Sequence, residues 1–519
     1  MKNIIKYTGI CFLFGALSLT SCEDYLDNKQ HGVLTSDNFY KTDTEAEQAL
    51  ASIYQYYASS GTQYNIFFLK NLLSDDYWCG GGGRGDNSQN EQLNEYTFNA
   101  EHAYLGDAFK NFYGIIYRAN IIMENVKDES PLKKRAIAES KVFRAMAYID
   151  LISMWGTPPY VDHVLLPAEY KQGNGDPAEL WALVENDLNE AISSNALKEK
   201  ANVNDNTNYY ITKQFAQALL GKALVFQGKF GEATTPFDAV INSGKYDLFR
   251  GDYGEILQCT SENNCESLFE FNSLNDPSLS PFDLMFCMTG WRTDKMTISP
   301  TADIYQGTWG FCVYYQKELY DAFVAAEGEN GYRLNKTMLT YEKLLATGSS
   351  IQPAQVLYGC EGNITWKSRR TNSEFLPGAF LGGTHNNARM MRYAEVLLLA
   401  AEAHIKAGDA GKAAQYVNLV RGRAQLAAKG SVTMEDIMLE KRLELCGESV
   451  RLQDMLRWKI ADKMANQGTI IPTLNPNGIV SYVDYNPSST AGFKARHYLL
   501  PFPQTELTLN DNITQNAGW

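Results

Sequence analysis

Residues 74–90, SDDYWCGGGGRGDNSQN, gather acids, a tryptophan, a thiol, four consecutive glycines, an Arg-Gly-Asp and a run of amides. A phosphate cradle of the G-x-x-x-x-G-K-[ST] type finds its two glycines in Gly80 and Gly85, but Asp86 stands where the lysine must be, and a carboxylate there repels phosphate. The run also meets the G-x-G-x-x-G spacing, as any glycine run does. It has no strand pattern before it and no helix pattern after it, so a dinucleotide loop is not expected. Arg84-Gly85-Asp86 is too short to signify adhesion. Asp86, Ser88 and Asn90 alternate as calcium ligands do, yet the bidentate glutamate is missing. The expectation is therefore no metal and no cofactor, with calcium as the alternative. What remains is a glycine loop beside a ring and hydrogen-bonding groups. Sugar recognition uses such a set: a flat ring against C–H groups, with acid, amide or guanidinium groups for hydroxyls. Asp76, Trp78, Arg84 and Asn90 are the candidate ligand contacts here. The simpler alternative makes Trp78 a buried anchor and the glycines only a loop.

The other tryptophans divide by context. Trp155, Trp181 and Trp458 fall on helical patterns and read as core, and Trp519 closes the tail. Trp291, Trp309 and Trp366 lie in loop-like segments and, with Tyr305, Tyr314 and Tyr315, are expected platforms. Trp291, Trp309, Tyr314 and Trp366 therefore join the candidate ligand set. Arg451, Asp454 and Arg457 follow i, i+3 spacing on one helix face and read as a scaffold ion-pair network. A glycosidase needs two carboxylates about 5–9 Å apart. Sixty acids make such a pair easy to find anywhere, so their number says nothing. No H-E-x-x-H or G-x-S-x-G occurs and the six histidines are scattered, so no enzyme is expected.

These residues need a frame. Composition is that of a folded chain, 45% hydrophobic and 20% charged. The net charge of −14 argues against a nucleic-acid partner. Lys2 and Lys6 precede an apolar run that ends near Leu19, shorter than the about 20 residues a spanning helix needs. This is the layout of an export signal. Leu19-Thr20-Ser21-Cys22 is similar to a bacterial lipobox, which makes Cys22 the expected acylated first residue of the mature chain. Loss of residues 1–21 removes two lysines and no acid, leaving a net charge of −16. Seven cysteines then remain besides Cys22, an odd number; Cys259 and Cys265 around CTSENNC are close enough in sequence to pair outside the cell, with two unpaired thiols as the alternative.

The mature chain, residues 22–519, reads as one mainly α domain. Helical periodicity covers 103–126, 131–156 and 176–194. In 209–244, Leu220-Gly221, Ala233 and Phe237 fall at tetratricopeptide spacing, and 392–425 echoes it with Ala413 and Val417. The scaffold is expected over about 35–244 and 386–466, with an irregular ligand-side insertion at about 245–385 and a polar tail at 467–519. A short strand is expected in NNCESLFEFNSL and another in ARHYLLPFP.

These segments together resemble the SusD/RagB family of outer-membrane lipoproteins. The resemblance rests on CEDYLD, IYRANIIMENV, AESKVFRAMAYIDLISMWGTPPYV, QALLGKALVFQGKFGEA, MRYAEVLLLAAEAHIKAGD, LEKRLELCGESVRLQDMLRW and YLLPFPQTELTLNDNITQNAGW. It departs at Ser449, where the family often has glycine, and over about 275–385, where only KELYDAF matches. The resemblance implies a cell-surface lipoprotein, held in outer-membrane lipid through Cys22, whose following acids Glu23 and Asp24 resemble a surface-export signal. It implies capture of oligosaccharides, or in some members peptides, and their delivery to a SusC-like, TonB-dependent transporter without catalysis. A surface hydrolase is the alternative from another class.

Overall fold

The computed structural model describes residues 39–207, 209–276, 288–305, 310, 313–376 and 383–519. The signal segment, Cys22, Trp309, Cys287 and Cys312 lie outside the described residues. Helix α1 (Asp43–Ala58) begins at Thr42, whose hydroxyl accepts from the Glu45 N–H while the Glu45 carboxylate accepts from the Thr42 N–H. This reciprocal pair satisfies two N–H groups that the helix start leaves without partners. Helix α2 (Ser60–Leu72) leads into strand β1 (Tyr77–Cys79), the glycine loop and helix α3 (Ser88–Asn94). A short strand and a short helix therefore do flank the glycines, contrary to the sequence expectation. The strand is only three residues long and too weakly patterned to be seen.

Helices α4 (Ala103–Asn125), α5 (Pro131–Trp155) and α6 (Pro177–Ser193) lie where periodicity placed them. Ser130 caps α5, Pro131 takes the first position, where its missing N–H is harmless, and Gly156 ends the helix at φ +80°. Helices α7 (Lys213–Phe226) and α8 (Phe230–Asn242) form the first tetratricopeptide-like pair, with Gly228 at φ +76° in the turn.

The insertion leaves and rejoins the scaffold through β2 (Ser267–Phe271) and β9 (Ala388–Arg392), an antiparallel pair that sets Ser267 opposite Arg392. The first expected strand is thus β2. Between them run β3 (Met296–Thr297), β4 (Val313–Tyr315), β5 (Met338–Thr340), β6 (Ser350–Ile351), β7 (Leu357–Tyr358) and β8 (Asn363–Thr365). Helices α9 (Lys317–Glu327), α10 (Tyr332–Thr337) and α11 (Tyr341–Ala346) lie among them. The pairs are β3–β6, β5–β8 and β1–β4, the last tying the insertion to the glycine loop. A second hydrophobic core, including Trp291, Tyr314, Leu339, Ile351 and Ile364, fills this side.

The scaffold resumes with α12 (Tyr393–Lys406) and α13 (Ala410–Arg423), turned by Gly408 at φ +94°, with Ala413 and Val417 buried. Helix α8 packs on α12, so two pairs that are distant in sequence stack side by side. Helices α14 (Met434–Leu445) and α15 (Arg451–Arg457) follow. Buried Glu444 on α14 draws together Arg392, Arg423 and the insertion's Arg333, and Lys367 donates to the Glu444 carbonyl at 2.8 Å. That cluster fastens the insertion to the scaffold.

The tail holds a hairpin, β10 (Ile470–Leu474) and β11 (Val480–Asp484), which joins β7 in a sheet ordered β11-β10-β7. Helix α16 (Gln504–Leu509) lies near the end. The second expected strand, at 495–503, is not one. Its start is a helical turn closed by the Lys494 N–H on His497 Nδ1 at 2.8 Å. Its later backbone bonds instead to the end of α5: Leu500 N–H donates to the Met154 carbonyl and Trp155 Nε1 to the Pro501 carbonyl.

Candidate functional site

The acids of the opening stretch are pulled inward. Asp75 and Asp76 sit between α2 and β1, where Arg451 grips both Asp75 oxygens at 2.7 and 2.8 Å and Arg442 Nε reaches Asp76 at 2.8 Å. Burial alone would raise the Asp75 carboxyl, but Arg442, Arg451 and Lys463 hold it far below the usual range. For Asp76 burial wins and the carboxyl is raised, with Arg442 opposing. Asp76 is therefore a buried structural partner of Arg442 and not a ligand contact. Arg457 reaches Asp454 at 2.8 Å as the i, i+3 spacing suggested, whereas Arg451 turns away to Asp75.

Asn90 is buried on α3, whereas Asp86 lies at the surface. The Asp86 carboxylate accepts from the Gly82 N–H at 2.7 Å, occupying an amide that a phosphate cradle would need free. Cys259 and Cys265, for which the sequence left a bridge or two free thiols open, are both free thiols.

The rings also separate by burial. Trp291 keeps 1% of its surface and Tyr314 none. Trp291 meets Trp366 edge-on at 6.1 Å inside the second core, and Tyr314 stands opposite Trp78 in the β1–β4 pair. Both are packing residues, so the ligand role expected of them is corrected. Trp78, at 9% exposure, is an anchor: its Nε1 donates to Glu361 at 2.7 Å, and its neighbours are Tyr358 and Ile471. Trp366 remains half-buried, with the Arg369 guanidinium 4.2 Å above its ring.

Two open rings near the glycine loop stand elsewhere, on the tail hairpin. Tyr482 is 55% exposed and Tyr485 40%. The Tyr482 hydroxyl reaches Glu361 at 3.3 Å, and Glu361 also receives the Lys317 N–H at 2.7 Å. Arg84, from the glycine loop, lies 4.9 Å over the Tyr485 ring, donates to the Tyr358 hydroxyl at 3.1 Å and forks onto Glu95. Arg292 reaches the other flank of the loop, with Nη1 at 3.5 Å from Asp86. Of the expected contacts among the described residues, Arg84 and Trp366 thus stay near the surface, while Tyr482, Tyr485, Glu361 and Arg292 were missed. The signal for the tyrosines was the alternation in IVSYVDY (479–485), hidden in what reads as a polar tail. The resulting surface carries flat rings, a guanidinium held rigid by carboxylate and ring, and carboxylate oxygens, a set that can grip a polyhydroxylated ligand.

Comparison with known proteins agrees with this architecture. The SusD family model matches residues 288–519. A SusD-like protein P2 of Formosa agariphila is 25% identical over 99% of both chains, and a SusD-like protein of Bacteroides ovatus is 23% identical over 90% of this chain and 85% of its own. Among solved structures, a laminarin-binding SusD-like protein superposes with a TM-score of 0.77 at 25% identity, over 92% of this chain and all of its own. Surface glycan-binding protein A from Bacteroides thetaiotaomicron, in complex with laminarihexaose, shares the fold with a TM-score of 0.73 at 22% identity, over 91% of this chain and 99% of its own. With a helical-pair scaffold, a long insertion and C-terminal residues that match the family model, this chain is similar to the SusD-like proteins in sequence and fold.

Proposed function

We propose that the protein is a lipid-anchored receptor of the cell surface that captures oligosaccharides and delivers them to a SusC-like, TonB-dependent outer-membrane transporter. The observation that carries the proposal is the pair of open rings, Tyr482 and Tyr485, beside Arg84 on the rim of the glycine loop. Apolar ring faces against sugar C–H groups, next to fixed donors and acceptors, suit a neutral-to-polar chain of pyranoses better than a compact metabolite. The laminarin and laminarihexaose named for two structural relatives support a glycan as cargo. Acylation of Cys22 would hold the protein on the outer membrane, since buried acyl chains contribute about 0.8 kcal/mol per CH2. No helix among the described residues is long and apolar enough to cross a membrane.

Capture without chemistry fits the carboxylates on this face. Glu361 is engaged by Trp78, Lys317 and Tyr482, and Asp294 by Arg292, whereas hydrolysis needs a carboxylic acid and a carboxylate free to work across one glycosidic bond. Calorimetry against oligosaccharide and peptide panels tests the cargo. Saturable heat with an oligosaccharide is expected, and heat with peptides alone would replace glycan by peptide. Co-purification with a barrel transporter, lost on Cys22→Ala without loss of fold, tests the delivery arm.

A further inference from the structure

The arginines beside the glycine loop are already held by carboxylates. Asp294 grips Arg292 with two prongs, Oδ1 to Nε at 2.6 Å and Oδ2 to Nη2 at 2.7 Å, and Asp86 lies 3.5 Å from Nη1. Glu95 forks onto Arg84, and Glu91 Oε2 lies 3.5 Å from Arg84 Nη1. A guanidinium edge that already forks onto one carboxylate cannot fork onto a second. The lysines are engaged as well: Lys317 pairs with Asp321, and Lys295 donates to Gln355 at 2.9 Å. The acids, by contrast, reach solvent, with about half of the Asp86 and Asp294 side chains exposed. Arg369 forms no ion pair among the described residues, but the charges of Glu374, Asp252, Asp303 and Glu255 act on it. The chain as a whole carries −14.

Building on the glycan capture proposed above, we infer that this face selects neutral oligosaccharides and refuses those bearing uronate or sulfate, with Asp294 as the specificity-determining residue. By occupying the forked edge of Arg292, Asp294 removes an anion receptor from the face and leaves its own negative charge beside the loop. Hydroxyl groups still find acceptors in the carboxylates and edge donors on the guanidinium. A ligand anion there meets guanidinium groups already paired with carboxylates and an excess of like charge around them.

The test measures binding of neutral hexasaccharides (laminarihexaose, cellohexaose, maltohexaose, xylohexaose) and anionic chains (hexagalacturonate, hexaguluronate, sulfated laminarin) to the full mature chain and to its Asp294→Asn and Asp86→Asn variants. Both side chains are half exposed, and a melting curve checks each variant's fold. Wild type is expected to bind at least one neutral chain and no anionic chain, and Asp294→Asn to raise the anionic-to-neutral affinity ratio about tenfold, with Asp86→Asn in the same direction. Wild-type binding of an anionic chain as tight as any neutral one overturns the inference. So does an unchanged ratio in both variants, although glycan capture then stands. Failure of every glycan to bind overturns both.

Discussion

Gly221 on α7 and Phe237 on α8 touch so closely that a β-carbon on residue 221 would stand 2.6 Å from the phenyl ring. The ring is wholly buried, so it has nowhere to move. Alanine would gain about 1 kcal/mol of helix propensity over glycine, but a larger side chain must part the two helices. Gly221→Leu is expected to destabilise by roughly 2–3 kcal/mol, the upper range for overpacking, read as a lower urea midpoint at unchanged m-value. An unchanged midpoint would mean that the helix pair is not held by this contact.

Ser449 sits at φ +61°, in the left-handed region where a residue with a side chain costs about 1–2 kcal/mol. It lies where the resembled family often has glycine. Its hydroxyl accepts from Asn71 Nδ2 at 2.9 Å, a bond contributing about 1 kcal/mol. The two effects nearly cancel, so Ser449→Gly is expected to change stability by less than about 1 kcal/mol. Ser449→Val keeps the strain, adds β-branching and loses the bond, and is expected to unfold at clearly lower urea. Equal midpoints for the two variants would contradict this.

Burial pushes the Glu139 carboxyl on α5 up to about 7, against the pull of the Tyr54 hydroxyl and Arg135. The folded value lies above the unfolded one, near 4.5. Its contribution is therefore complete below about pH 4.5 and is lost as pH rises through about 7, on the order of a few kcal/mol. Glu262, also raised to about 7 by burial, adds to the same slope. Glu139→Gln is expected to flatten, without abolishing, the decline in stability from about pH 5 to about pH 8. A variant whose slope matches wild type would show that Glu139 is not the group responsible.

Glu444 behaves in the opposite sense. Burial favours its neutral form, but Arg423, Arg392, Arg333 and Lys367 together hold its carboxyl far below the usual range. That contribution is present above about pH 4 and is lost as pH falls through the folded value. Glu444→Gln leaves three buried guanidinium groups short of charge and is expected to cost roughly 3–5 kcal/mol. Because Arg333 belongs to the insertion and Glu444 to the scaffold, limited proteolysis should cut first within 245–385. First cuts spread evenly over the scaffold would contradict the fastening role.

The scaffold was legible because long helices repeat their apolar positions many times. Periodicity over 131–156 gave α5, and Gly221, Ala233 and Phe237 fell at the spacing of the α7–α8 contact. The candidate site was legible only in part. A tryptophan in a loop-like stretch gives no sign of which way its ring turns, and Trp78 and Trp291 turned inward because β1–β4 pairing and the second core claimed them. Asp76 was claimed by Arg442, 366 residues away, a pairing no local pattern reveals. Tyr482 and Tyr485 came to the glycine loop from the far end of the chain by the β7–β10 pairing, which rests on only two residue pairs.

The central claim is that open rings beside the glycine loop grip a glycan without altering it. Isothermal titration of an oligosaccharide panel into wild type and a Tyr482→Ala/Tyr485→Ala double variant tests it most directly. The predicted result is saturable binding of at least one oligosaccharide by wild type, recovery of the sugar uncleaved, and at least about tenfold weaker binding by the double variant at an unchanged melting temperature. Equal affinity in the two proteins, heat with peptides alone, or cleaved sugar in the cell would contradict it.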